Sequence, residues 1–123
     1  MPHMQHMPNA SYPTMKTSPN VIRTVQDCEA ICEHMVSVLL GYPDIHARAI
    51  QIQLLRDCAL ICATTAAYLA RGSMLVKSVT SLCAYICEVC GKECAKFPDE
   101  ASQRCSRICL NCAQECRALS AAA

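Results

Sequence analysis

Residues 83–94 read CAYICEVCGKEC, and residues 105–116 read CSRICLNCAQEC. Each places cysteine at i, i+4, i+7 and i+11. On an α-helix that spacing gathers four sulfurs onto one face, stacked over about 16 Å of axis. In a helical bundle these positions normally carry Leu and Ile. The two segments therefore predict two helices whose inward stripes consist of thiols.

Outward from these segments the same C-x-x-x-C unit recurs at Cys28/Cys32 and Cys58/Cys62, so all twelve cysteines fall into six such pairs. Between Asn20 and Leu40, Val21, Val25, Cys28, Cys32, Met35 and Leu39 recur at steps of 4, 3, 4, 3 and 4, a single helical stripe. Punctuation divides the chain at Ser18-Pro19, Gly41-Tyr42-Pro43-Asp44, Arg71-Gly72-Ser73 and Phe97-Pro98-Asp99-Glu100, each a helix stop or start by its capping chemistry. The expected helices cover 20–40, 43–71, 73–95 and 98–119. No hairpin signal or sustained period-2 run competes with them. Short connections make neighbours antiparallel, so the fold class is all-α: an up-down-up-down four-helix bundle with a cysteine-lined core, residues 19–123. Residues 1–18, rich in Met, His and Pro and without apolar periodicity, read as a flexible tail.

Composition narrows the partners. Eleven Lys and Arg against ten Asp and Glu leave a net charge of +1 on 123 residues, with no basic stripe, which excludes nucleic acid. In the most apolar region the uncharged run Cys58–Ala70 is 13 residues long, short of the roughly 20 a membrane span needs. The first twenty residues hold four Pro and no continuous apolar run, so they are not a signal peptide. The expectation is a cytoplasmic protein with no membrane partner, in a reducing compartment where cysteines are thiols or metal ligands.

Three readings of the cysteines compete. One buried cysteine is an ordinary small hydrophobe, but twelve in one spacing with none elsewhere are not explained by packing. Disulfides within an i, i+4 pair strain a helix, because the side chains project in parallel; bridges between helices remain open. Metal is the third reading, and thiolates select Cu(I), zinc or iron–sulfur clusters. Zinc in four-cysteine sites would leave a large negative charge in the core, whereas Cu(I) can share thiolates and balance them one to one. Charge neutrality favours several Cu(I) ions held by Cys28, Cys32, Cys58, Cys62, Cys83, Cys87, Cys90, Cys94, Cys105, Cys109, Cys112 and Cys116. An iron–sulfur or zinc protein is the alternative, and a thiol redox enzyme the rival class. The latter requires an exposed, low-pKa cysteine at a helix N-terminus, which these helix-interior positions do not offer, so no enzymatic activity is expected.

On CAYICEVCGKEC and CSRICLNCAQEC, supported by CEAICEH and RDCALIC, the chain resembles the bacterial copper storage proteins over about residues 20–119. The resemblance implies a homotetramer of bundles, each holding many Cu(I) ions in a thiolate-lined tube, and it matches the cytosolic members. Richer members extend the ladder by one step on each helix; here those steps hold Met35, Gln51, Thr80 and Ser102, of which only the Met35 thioether suits a soft ion. The family places a histidine near one mouth of the tube, which makes His34 a candidate ligand against its plainer reading as a surface or capping group. Met1, His3, Met4, His6 and Met7 form a soft-ligand cluster in the tail, either chance composition or a copper-acquiring segment.

Helix rise also predicts a register. With the expected bounds, Cys28, Cys32, Cys58, Cys62, Cys83, Cys87, Cys105 and Cys109 fall at about 12–21 Å from the end where the first helix starts, forming one central slab. Cys90 and Cys94 then reach towards the far end, and Cys112 and Cys116 towards the near one.

Overall fold

The computed structural model describes residues 19–122. The expected tail, the candidate ligands in it and the Ser18 cap lie outside these residues. Four helices follow one another: α1 (Pro19–Leu40), α2 (Ala49–Arg71), α3 (Val76–Ala95) and α4 (Glu100–Ala122), with a 3-10 turn at Ile45–Arg48. The architecture is the antiparallel four-helix bundle that the stripes predict. Each helix buries one stripe, and in all four that stripe includes cysteine.

All four helix starts and one end differ from the expected bounds, α1 by a single residue and the other starts for local reasons. The second helix begins at Ala49, because residues 45–48 wind more tightly and turn the buried Arg48 inward. Ser73 does not cap a helix at once; its hydroxyl accepts the Leu75 N–H at 3.0 Å, and α3 starts at Val76. Asp99 caps α4, its carboxylate accepting the Ser102 N–H at 2.9 Å, so the helix opens at Glu100 and runs on to Ala122. At the end of α2, Gly72 takes φ 61°. Its N–H bonds to the Leu69 carbonyl and that of Ser73 to the Tyr68 carbonyl, the Schellman arrangement that a left-handed residue permits.

The helices form a ring in chain order, with α3 and α4 the most closely packed pair and α1 and α4 the sparsest. Gly91 permits the close approach: a Cβ there would lie 2.8 Å from the Leu110 side chain and 3.2 Å from the Ser106 carbonyl. Ser106 donates to the Gly91 carbonyl at 2.7 Å and locks the pair. The stretch Ile45–Arg71 is long and apolar enough, by length and composition, to cross a membrane. Arg56 and Asp57 interrupt its middle, and its inward face, Leu55, Cys58, Cys62 and Leu69, is fully buried in the bundle, which marks a core helix.

Candidate metal centre

All twelve cysteines are free thiols with zero solvent exposure. With the observed helix bounds they sort into levels along the bundle axis. Cys28, Cys62, Cys87 and Cys112 lie about 14–17 Å from the end where α1 starts, one from each helix. Cys32, Cys58, Cys90 and Cys109 lie at about 20–21 Å, again one from each helix. Two complete rings of four sulfurs are therefore stacked at the centre. Cys83 and Cys116 extend the column towards the near end, Cys94 and Cys105 towards the far end.

Distances agree with this register. Cys28, Cys62, Cys87 and Cys112 have sulfurs all within 4.8 Å of one another, and so do Cys28, Cys32, Cys58 and Cys109, and Cys83, Cys112 and Cys116. Within rings, Cys62–Cys87 and Cys87–Cys112 are 3.7 Å apart, and Cys32–Cys109 3.6 Å. Between rings, Cys58–Cys87 is 3.5 Å and Cys28–Cys58 3.8 Å. The column is continuous, because the groups share members and no apolar layer separates them.

The expected central slab is thus shifted in its membership. Cys112 and Cys90 stand in the rings, while Cys83 and Cys105 stand outside them. The cause lies in the helix bounds: α3 starts three residues later than expected and α4 ends three later, which moves each stripe by about 4.5 Å, one step of its ladder.

Sulfur–sulfur hydrogen bonds polarise the column. Bonds from Cys109 and Cys32 favour the thiolate of Cys90, and bonds from Cys112 and Cys116 that of Cys83, so both are pulled down from the ordinary thiol range. Bonds to Cys105 and Cys90, then burial, push the Cys94 thiol up. Bonds to Cys112 and Cys83, then burial, do the same to Cys116. Neighbouring sulfurs lie close enough to share S–H groups, so a proton lost at one sulfur is compensated by S–H groups beside it. Such an array gives up protons to an incoming soft cation without isolating a bare charge in the core.

Met35 is buried and level with Cys94 and Cys105, placing a thioether at the far end of the column. His34 is not brought to the sulfurs. Its side chain is exposed on the outer surface of α1, beside a groove lined by Asp27, Ile31, Arg104 and Ile108. One residue from Met35, it points about 100° away around the helix, which is why the two cannot share the column.

Sequence reasoning missed the structure that closes the far end. Arg48 is buried, with its guanidinium 4.1 Å from the Phe97 ring centroid and 5.1 Å from that of Tyr42. It pairs with Asp44 at 2.9 Å and Asp99 at 2.9 Å. It donates to Gln51 Oε1 at 3.0 Å and Ser102 Oγ at 3.2 Å. The Gln51 amide in turn donates to Ser102 Oγ at 2.9 Å and to Cys94 Sγ at 3.5 Å. Gln51 and Ser102 are two of the steps at which the cysteine ladder stops. The one signal in the sequence was the single Phe of the chain, beside Pro98 at a helix junction.

With this geometry in hand, comparison with known proteins is direct. The profile of the copper storage protein (Csp) family matches residues 14–121. A curated relative, the uncharacterized cysteine-rich protein YhjQ of Bacillus subtilis, is 37% identical over 95 residues, spanning 77% of this chain and 88% of its own. The Cu(I)-bound copper storage protein BsCsp3 is 35% identical with a TM-score of 0.80, over 84% of this chain and 97% of that one. A cytosolic copper storage protein from Streptomyces lividans, solved with five coppers, is 28% identical with a TM-score of 0.83, over 88% of this chain and 95% of that one.

Proposed function

Because this chain belongs to the copper storage protein family, we propose that its twelve cysteines, with Met35 at the far end, are the ligands of a multinuclear Cu(I) store. The protein stores and buffers Cu(I), several ions per chain, through thiolates lining the bundle core. The observation that carries the ligand assignment is the continuity of the sulfur column: two four-sulfur rings only 3.5–3.8 Å apart across Cys58–Cys87 and Cys28–Cys58. Isolated four-cysteine sites for zinc need separate sulfurs, yet here Cys28 belongs to both four-cysteine groups. Shared, bridging thiolates suit a soft monovalent ion. One Cu(I) per thiolate also leaves the dry core neutral, whereas a divalent ion in each ring would leave it anionic.

The same burial argues against redox catalysis. A thiol oxidoreductase presents its nucleophile to substrate, and every thiol here has zero exposure. His34 is outside the ligand set. We assign residues 1–18 as a tail preceding a single bundle. The assembly is a homotetramer, as the family resemblance implies; Leu60 of α2 and Leu82 and Tyr85 of α3 give the subunit an exposed apolar face on which copies would meet. The compartment is the cytoplasm, in keeping with the Streptomyces relative described as cytosolic.

Anaerobic titration with Cu(I) against a chromophoric chelator tests the assignment. Saturation is expected at roughly ten to fourteen ions per chain, one per thiolate with a small contribution from thioether. Saturation at two or three ions, or zinc outcompeting Cu(I), would refute it.

A further inference from the structure

The two ends of the sulfur column are closed by different chemistry. At the near end the plug is mainly aliphatic: Leu69 and Val76 are buried there, with Thr80 behind them and Val25 and Thr65 level with the outermost sulfurs. At the far end Leu39 and Leu55 are buried as well, but over them lies the Arg48 clamp, which joins the turn before α2 to the α3–α4 junction and rests on Cys94 through Gln51. With every sulfur at zero exposure, nothing reaches the column unless part of the bundle opens.

Opening the two plugs differs in free energy. Displacing Leu69 and Val76 exposes apolar surface that water does not compensate. Displacing Arg48 exposes a guanidinium and two carboxylates, and water replaces each lost hydrogen bond. Asp44 is already half exposed, with a side-chain accessibility of 48%, so the solvent that would take over is at hand. Arg48 with Asp44 and Asp99 sums to one negative charge, so the clamp stays charged and hydrated when it opens. Directly beneath lie Cys94, Cys105 and Met35, all soft donors. The near end has Cys83 and Cys116 behind it, and its buried polar groups, Thr65, Thr80 and Ser120, are neutral hydroxyls with no ion pair among them.

We propose that the Arg48 clamp is the gate of the sulfur column: copper(I), and the protons it displaces, pass the far end when Arg48 swings off Gln51 and Ser102. This rests on the copper-storage reading. Arg48 is a positioning residue that never ligates the metal. Copper(I) arrives bound to a small thiolate carrier. Its bond to the carrier sulfur breaks, a bond to Cys94 Sγ forms, and the Cys94 proton leaves on the carrier thiol, with no change of oxidation state. The ion then passes inward by the same exchange from sulfur to sulfur.

Two variants open the gate in different ways. Arg48→Met keeps an unbranched side chain of similar length and removes the charge. Asp99→Asn retains an oxygen to cap α4 and weakens the ion pair. In the apo protein, anaerobic alkylation by iodoacetamide, mapped by peptide mass spectrometry, should accelerate at Cys94 and Cys105 by about tenfold or more in either variant, the order of a lost charge-assisted hydrogen bond. Cys83 and Cys116 should keep their wild-type rates. Copper uptake from a chelator and its return to excess chelator should both quicken by the same factor, with affinity unchanged, because a gate lowers the barrier and not the end states. Leu69→Ala, at the aliphatic end, should not quicken either process. The proposal is overturned by unchanged rates in Asp99→Asn, by equal acceleration at all four cysteines, by a shift in affinity, or by faster exchange in Leu69→Ala. Failure of the wild-type chain to bind copper would refute storage instead, and the alkylation pattern would still judge the gate.

Discussion

The helices divide into two unequal halves. α1 and α2 contribute two cysteines each, α3 and α4 four each. Where α3 and α4 continue the column with Cys83, Cys116, Cys94 and Cys105, α1 and α2 place Val25, Thr65, Met35 and Leu55 at matching levels. The bulkiest fully buried side chains, Met35, Leu39, Leu55, Leu69, Gln51 and Val25, all belong to α1 and α2. Burying one Leu is worth about 1.5–3 kcal/mol, while a thiol contributes the smaller share of a small hydrophobe. One half therefore supplies most of the free energy that closes the bundle, and the other supplies most of the donors. A store that must be emptied needs this arrangement, because its fold has to survive without its cargo.

The division is broken or sharpened first by copper count. Both halves contribute to the two rings, so ring cysteines should outweigh outer ones. Replacing Cys28, Cys62, Cys87 and Cys112 together with Ser should remove more than four ions and weaken the rest, since these sulfurs bridge neighbours on both sides. Replacing Cys94 or Cys116 should remove about one ion each, the share of a thiolate that balances a single charge. Mass spectrometry of the loaded protein reads the counts directly. Loss in strict proportion to sulfurs removed would mean independent pairs and no continuous column.

Stability should show the reverse weighting. Leu55→Ala or Leu69→Ala in the apo protein should each cost about 2–5 kcal/mol, the range for a fully buried Leu truncated in a rigid core. Cys90→Ala should cost only about 1 kcal/mol, near the value of a single buried methylene-sized group. Urea unfolding followed by circular dichroism measures all three. The wild-type apo chain should be fully helical at the start of that titration; helix that appears only on adding copper would dissolve the distinction between the halves.

How far the sequence could be read follows from the same division. The stripe of α1 and the double ladders of α3 and α4 obey helical periodicity without exception, so fold class and column were visible in them. Membership of the rings was not, because it depends on where α3 begins and α4 ends. The first was set by Ser73 closing a tight turn, and the second by Ser120, Ala121 and Ala122 continuing the helix, with Ser120 bonded to the Lys77 carbonyl of α3. The Arg48 clamp was also hidden. Its parts lie at positions 42, 44, 48, 51, 97, 99 and 102, and only the folded loops bring the two groups together. His34 lies exposed on α1, as its plainer reading and its step of two from Cys32, which turns it off the stripe, already suggested.

A smaller effect tests how the sulfur-rich half is held together. Gly91→Ala places a methyl 2.8 Å from the Leu110 side chain and 3.2 Å from the Ser106 carbonyl. Leu110 can yield, but the carbonyl is backbone, so α3 and α4 must separate slightly. The expected cost is about 1–3 kcal/mol in urea unfolding, as for overpacking elsewhere, less the gain from Ala's better helix propensity. Because Cys90 and Cys94 flank Gly91, copper loading should slow as well. Pairing the variant with Leu110→Ala should restore neither in full, because the Ser106 carbonyl stays in place.

The smallest expected effect concerns the contact between the halves. Arg48–Asp99 is the one ion pair among the described residues that joins the α1–α2 half to the α3–α4 half. Burial alone would lift the Asp99 carboxyl, but hydrogen bonds from the Ser102 hydroxyl and N–H, and then Arg48, outweigh it and hold the group below its ordinary range. A carboxylate whose folded-state value is depressed binds protons more readily when unfolded. Its stabilisation is therefore complete above the unfolded value of about 4 and is lost as pH falls through the lower folded one. Comparing apo wild type with Asp99→Asn, the thermal midpoints should differ most near neutral pH. They should converge once the pH falls below the depressed value, because the wild-type carboxyl is then neutral too. Midpoints equal at neutral pH would show that Asp99 acts only as a helix cap, which Asn performs as well, and that packing alone joins the two halves.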